Sequence, residues 1–71
     1  GSHMITYKKL LDELKKEIGP IAKIFLNKAM ESLGYDDVDD SNYKEILSVL
    51  KMNKELREYV EIVEERLEKE G

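Results

Sequence analysis

The densest group of side chains capable of chemistry is a run of four aspartates within Asp36–Asp40. Carboxylates crowded in this way could bind a hard cation such as Ca²⁺. An EF-hand loop starting at Asp37 would require Gly at its sixth position and Glu at its twelfth, but these positions hold Asn42 and Ser48. We therefore predict no metal site and expect the acids to favour the start of the next helix. A cation-sensing loop is kept as the alternative.

A second charged group consists of lysines in the first half of the chain. Such a group could form a phosphate-binding face. Acids at positions 12, 13 and 17 interrupt it, no glycine-rich phosphate loop accompanies it, and the chain has only two arginines, at 57 and 66. We therefore interpret the lysines as a solvated face. They are Lys8, Lys9, Lys15, Lys16, Lys23 and Lys28.

The usual nucleophiles and bases are scarce. The chain has no Cys, and its one His lies in Gly1-Ser2-His3-Met4, which resembles the remnant of a cleaved affinity tag. Acid pairs such as Glu61 and Glu65 share a helix face, but carboxylates do acid–base work only in a cleft or when buried. We predict a protein that is not an enzyme, with no catalytic residue, cofactor or metal ligand.

The length and charge of the chain limit the kind of protein that it can form. The chain has 71 residues, a net charge of −4 and a charged fraction of 39%. Residues 5–71 are long enough for one small domain, whose core would contribute roughly 3–5 kcal/mol. No apolar run approaches the roughly 18 residues of a membrane span. No signal peptide is visible either, so we expect a cytoplasmic protein. The abundance of Lys and Glu also resembles a thermophile surface.

Charge differs between the two halves of the chain. Residues 1–33 contain six Lys and four acids, a balance of +2, whereas residues 34–71 contain six basic residues and twelve acids, a balance of −6. The halves could attract each other, within one chain or between two. The sequence pI of about 5.0 also lowers the expectation of a nucleic-acid-binding domain, which is usually basic.

The elements that would position these residues are helices, because apolar residues recur at helical and not alternating spacing. The first helix is predicted over residues 7–18, with Thr6 as its N-cap and Gly19 ending it in a left-handed conformation. Pro20 then opens a second helix that ends at Gly34. The stripe of the first helix is Tyr7, Leu10, Leu11, Leu14 and Ile18.

The second helix has apolar residues over most of its circumference, roughly 240° at 100° per residue, which predicts a central helix buried on more than one side. A third helix is expected after Asp40 or Ser41, and a break near Met52-Asn53 separates it from a fourth helix over residues 54–69. Its acidic C-terminal end suggests fraying, because the helix dipole disfavours anions there. The predicted fold is an all-α bundle of four short helices around helix 2.

Several apolar residues fall outside the stripes that would form this core. Together they predict a partner interface, either for a homodimer or for another protein. We therefore expect a small protein–protein interaction or oligomerisation module from a larger signalling or regulatory protein. The predicted interface residues are Ile24, Val49, Ile62 and Met52, and Ile5 is also counted among the surplus apolar residues.

The segment Ile18-Gly19-Pro20-Ile21-Ala22-Lys23-Ile24, with the small residue Ala29 after it, resembles the "GPIA" helical modules. These are accessory regions of bacterial and archaeal signalling proteins. Their second part, an apolar helix, a polar break and then Arg with apolar residues, is similar to residues 46–60. The resemblance spans residues 10–62 and departs from the pattern in the acidic loop. It implies an interaction or regulatory module without a catalytic residue.

The alternative prediction is a nucleic-acid-binding helical accessory domain of a replication or regulatory protein. Helices 2 and 3 are expected to be separated by residues 35–41, which is longer than the turn of about three to four residues in a helix-turn-helix motif. The predicted fourth helix is too acidic to enter a groove of DNA. Nucleic-acid binding is therefore the less favoured prediction.

Overall fold

The computed structural model describes residues 4–70, and within this range it contains helices and turns but no strand. The helices are α1 (Tyr7–Ile18), α2 (Ala22–Leu33), α3 (Tyr43–Leu50) and α4 (Arg57–Glu70), with a 3₁₀ turn over Gly19–Ile21. The prediction of an all-α fold is confirmed. Of the predicted tag remnant, only Met4 is described, and it is exposed; residues 1–3 and Gly71 lie outside the described range.

Four α-helices are present, but α1, the 3₁₀ turn and α2 follow one another without a loop, so the described residues form three separate helical segments where four were predicted. Pro20 lies within this turn, and α2 begins two residues later. None of the helices among the described residues has the length and apolar character needed to cross a membrane.

The helices pack in a closed ring, in which α1 and α3 each contact both α2 and α4. The prediction of a central second helix is wrong. Each helix in such a ring turns one face toward the core, and for α2 this face contains Ala22, Leu26, Ala29 and Met30. Of the remaining apolar residues in its wide arc, Phe25 and Leu33 are partly buried against the core, whereas Ile21 and Ile24 are exposed. A wide apolar arc therefore gives α2 both a core face and an exposed apolar face.

Local hydrogen bonds fix the start of α1 and the end of α2. The Thr6 hydroxyl accepts from the backbone N–H of Lys9 at 3.1 Å, as predicted for an N-cap. Gly34 is left-handed (φ 78°, ψ 23°), and Tyr35 N–H donates to Met30 O at 2.9 Å, which completes a Schellman motif. Gly19 has φ 76° but ψ −157°, so it occupies a different glycine-favoured region from the predicted left-handed helical one.

The acidic loop forms the N-terminal cap of the turn leading into α3. The Asp39 carboxylate accepts from the backbone N–H groups of Ser41 at 2.8 Å and Asn42 at 3.0 Å. In return, the Asn42 side chain accepts from the Asp39 N–H at 3.0 Å, which is the reciprocal pattern of a capping box. The neighbouring Asp40 accepts from the Ile5 N–H at 2.6 Å. The loop thus also holds the segment that enters α1.

The predicted break between α3 and α4 is present, but α4 begins at Arg57 and not at residue 54. Residues 51–56 form turns, and the Asn53 carboxamide accepts from the Glu55 N–H at 2.9 Å. Arg57 donates from its side chain to the Lys51 carbonyl at 3.1 Å, near the end of α3. Asn53 therefore caps a turn that precedes the α-helix.

The core contains one buried apolar stripe from each helix and three residues from outside the helices, Ile5, Val38 and Leu56. Ile5 was counted among the surplus apolar residues, but it is buried with Leu10 in the arrangement of a hydrophobic staple before an N-cap. Tyr59 shares the helical spacing of Val60, Val63 and Leu67 and is predicted to lie on the same apolar stripe, but it is 46% exposed. The core side of α4 instead centres on Val60, Val63 and Leu67.

Candidate interaction surfaces

The structure distributes the four predicted interface residues over four places. Ile24 lies on the outer side of α2 and is 57% exposed, while Ile62 lies on the outer side of α4 and is 46% exposed. Met52, at 78%, lies in the connection between α3 and α4. Val49 on α3 is half-buried and packs against the core. These residues therefore do not form one continuous patch.

The first surface is the outer side of α2, which we call the α2 face and define by Ile21, Ile24 and Lys28. These residues follow one another at steps of three and four, so they share one side of a helix. All three are exposed, and the buried residues Leu26 and Ala29 lie on the opposite side. Within residues 4–70, Lys28 has no ion-pair partner. The α2 face is thus apolar with a cation at one end.

The second surface is the outer side of α4, which we call the α4 face and define by Glu58, Tyr59 and Ile62. All three residues are exposed. Ile62 also lines a shallow depression with Glu65, Arg66 and Lys69. Glu58 has no ion-pair partner among the described residues. The α4 face is thus apolar with an anion at one end.

A groove lies between α2 and the end of α3, where Phe25 and Val49 line its walls together with the buried Ala29, Leu50 and Leu56. Phe25 and Val49 are partly buried and packed against the core. The groove is small and its walls contribute to the core; it borders the α2 face at Lys28, and no residue of the α4 face lines it. Its polar edge consists of Lys28, Ser32 and Asn53.

Between α1 and α4 lies a charged cluster that includes Lys9 and Lys16, two of the lysines predicted to form a solvated face. The Glu13 side chain is nearly inaccessible, at 3%, and its carboxylate lies 3.0 Å from Lys16 Nζ and 3.4 Å from Lys9 Nζ. Arg66 Nε lies 2.8 Å from Glu13 Oε1, a close ion pair whose N–H direction is off the hydrogen-bond line. Arg66 also donates to Glu17 at 2.8 Å. These contacts join α1 to α4.

The electrostatics of the cluster favour the ionised carboxylate. Burial by itself raises the pKa of Glu13, but hydrogen bonds and the charges of Lys16 and Lys9 outweigh it and leave this pKa below its ordinary value. The hydrogen bond to Glu17 raises the pKa of Arg66. The Glu13 carboxylate is surrounded by cations and does not line an open cleft, so its charge serves packing between helices.

Ion pairs also occupy part of the predicted lysine face. Lys8 pairs with Asp12 at 3.1 Å, and Lys9 contacts Glu70 at 2.7 Å in addition to Glu13. The C-terminal acids of α4, for which fraying was expected, have cation partners, because Glu68 also pairs with Lys44 at 3.2 Å. These lysines are therefore neutralised within the fold, which reduces the charge available to a phosphate.

The geometry of the acidic loop matches the capping role that was expected for it. Hydrogen bonds lower the pKa of Asp39, and the largest effect comes from the Ser41 hydroxyl, ahead of the backbone N–H groups. Within residues 4–70, no three acidic or histidine side chains converge in a geometry that could hold a metal ion. The loop is thus explained by the backbone groups that it binds.

Comparison with known protein families does not assign the chain to a family. No family model matches the chain. The resemblance to the GPIA modules therefore stays a prediction, and the function is argued from the geometry alone.

Proposed function

We propose that this chain is a small protein–protein interaction or oligomerisation module without enzymatic activity, acting in the cytoplasm as part of a signalling or regulatory protein. The observation that supports this proposal is the exposure of large apolar side chains outward from the bundle. Ile21, Ile24, Tyr59 and Ile62 are each 46% exposed or more, and they lie on helices whose other sides already fill the core.

The size of these faces indicates a weak contact. Full burial of an Ile or similar side chain yields about 1.5–3 kcal/mol, so half of that, about 1 kcal/mol, is available from each half-exposed residue. Two or three such residues on each face offset only part of the entropy lost on association. We therefore expect a dissociation constant in the micromolar range or weaker. Overall binding becomes stronger when several copies or several domains are held together.

Nucleic-acid binding has less support. Lys8, Lys9 and Lys16 are each paired with an acid of the same chain. The connection between α2 and α3 covers residues 34–42, which is longer than a helix-turn-helix turn. Mobility shifts with generic duplex and single strands at low salt would test this alternative, because binding dominated by phosphates is strongest there.

The test of the proposed function separates residues needed for folding from residues available for contact. We expect Ile24→Asp and Ile62→Asp to change the free energy of unfolding by less than about 1 kcal/mol, because both side chains are already exposed. The matched control, Leu26→Asp, buries a charge in the core and should unfold the protein. Urea titrations followed by circular dichroism, at protein concentrations where no association occurs, measure this difference.

Association and stability together decide the proposal. Any self-association of the wild-type protein should disappear when both isoleucines are replaced, while the helical content stays the same. A loss of 2 kcal/mol or more from either exposed substitution would show that these residues support the fold, and the proposed function would then be wrong.

A further inference from the structure

We infer that the partner of this module is a second copy of the same chain, bound head to tail, with the α2 face of one copy against the α4 face of the next. This inference rests on the proposed function and names its partner. It is argued from the charges on the two faces, from the spacing of their residues, and from the positions of the two helices in the ring.

The two faces are complementary in charge. Lys28 on the α2 face and Glu58 on the α4 face each have no ion-pair partner among residues 4–70. Over the whole helices the charge balance is also opposite, because Lys23 and Lys28 outnumber Glu31 on α2, whereas six acids outnumber three bases on α4. Opposite potentials on two apolar faces favour their contact and disfavour contact of a face with itself.

The spacing of residues also matches when the two helices run antiparallel. If Ile24 is placed against Ile62 of a second copy, then four residues further along α2 lies Lys28. Four residues back along α4 lies Glu58, so the two unpaired charges meet across the contact. In a parallel arrangement with the same isoleucines, Lys28 would instead face Arg66. The antiparallel arrangement therefore pairs Ile24 with Ile62 and Lys28 with Glu58.

The position of the helices makes the contact head to tail. α2 and α4 do not adjoin in the ring, since α1 and α3 each lie between them. Ile24 and Ile62 both point away from the core, so one molecule presents its two faces on different sides. A contact between unlike faces leaves one face free at each end of the pair, so further copies can add.

The experiment measures molar mass by light scattering on a sizing column over a tenfold range of concentration. The wild-type mass should rise with concentration beyond that of a dimer. Ile24→Asp, which blocks the α2 face, and Ile62→Asp, which blocks the α4 face, should each be monomeric. An equimolar mixture of the two variants should form a dimer and nothing larger, because one intact face remains on each molecule.

The matched control is the double variant, with both isoleucines replaced, mixed with either single variant; it should give only monomers. A wild-type protein that is monomeric at every concentration would overturn the inference, and so would a mass that stops at a dimer. A mixture of single variants that stays monomeric would also overturn it. If these association results contradict the head-to-tail contact but the variants are as stable as the wild type, only this inference is wrong. If the variants lose stability, the proposed function is wrong as well.

A second pair of variants tests the charges and leaves the apolar residues in place. Lys28→Glu and Glu58→Lys should each weaken association by about three- to tenfold, because each places like charges opposite one another. Combining both changes in one chain should restore association, since the pair is then reversed. If the combined variant is as weak as the single ones, the antiparallel arrangement is wrong.

Discussion

The buried carboxylate of Glu13 offers the sharpest test of how the fold is held together. Replacing Glu13 with Gln keeps the size of the side chain and removes its charge from the centre of the α1–α4 cluster. The side chain is 3% exposed and lies within 3.4 Å of Lys9 Nζ, Lys16 Nζ and Arg66 Nε. The change therefore removes three charge contacts at once.

The expected loss in free energy of unfolding depends on how well each cation is solvated once the Glu13 charge is gone. The Lys16 side chain is 60% exposed, so its contact contributes less than about 0.5 kcal/mol. Arg66 is 35% exposed and retains Glu17 as a partner, so it is not left buried and unpaired. The loss should therefore fall below the 3–5 kcal/mol typical of an isolated buried pair. We expect about 1.5–2 kcal/mol, close to one charged hydrogen bond.

The assay is thermal and urea unfolding followed by circular dichroism. For a domain of this size, such a loss lowers the Tm by about 6–15 °C. The matched control is Asp12→Asn, because Asp12 has an exposed partner in Lys8 and should change stability by less than about 0.5 kcal/mol. Wild-type stability in Glu13→Gln would refute the conclusion that this cluster joins α1 to α4.

Three further predictions concern pH, a cap and a glycine. Because the folded pKa of Glu13 lies below its ordinary value of 4.5, its contribution to stability should be complete above that value and lost as the pH falls through the folded pKa; acid unfolding curves of Glu13→Gln should lack this loss. Asp39→Ala should cost about 1 kcal/mol in urea unfolding, whereas Asp36→Ala, a matched control in the same loop, should cost little. Gly34→Ala should cost about 1 kcal/mol; since no atom lies within 4 Å of the added Cβ, the whole cost would come from the positive φ, and wild-type stability would contradict it.

Local signals in the sequence predicted the ends of helices well. α1 has the predicted bounds because Thr6 and Gly19 act within a few residues of its ends. The start of α4 was predicted three residues early, because a capping residue such as Asn53 can equally cap a turn. Local chemistry specifies that the chain changes direction near such a residue, but not which helical form follows.

Features that depend on contacts between distant residues could not be predicted. Glu13 follows the apolar Leu10 by three residues, and in the sequence nothing distinguishes it from the many other charges on the helix. Its burial depends on Arg66, which approaches it only when α1 and α4 pack. The exposed apolar face of α2 has the same origin, because a periodicity cannot tell which part of a wide apolar arc faces the core. Which side of α2 is buried depends on how α1 and α3 pack against it.

The contact between Lys9 and Glu70 has a consequence for how this domain connects to other polypeptide. Lys9 lies in the first turn of α1 and Glu70 is the last residue of α4, and their side chains meet at 2.7 Å. Chain entering at α1 and chain leaving after α4 therefore pass the same end of the bundle. Domains with adjacent ends can be inserted into a loop of a host protein or circularly permuted with little disturbance. A short linker between residues 70 and 5 should thus allow new ends to be opened elsewhere, such as at the exposed turn around Met52.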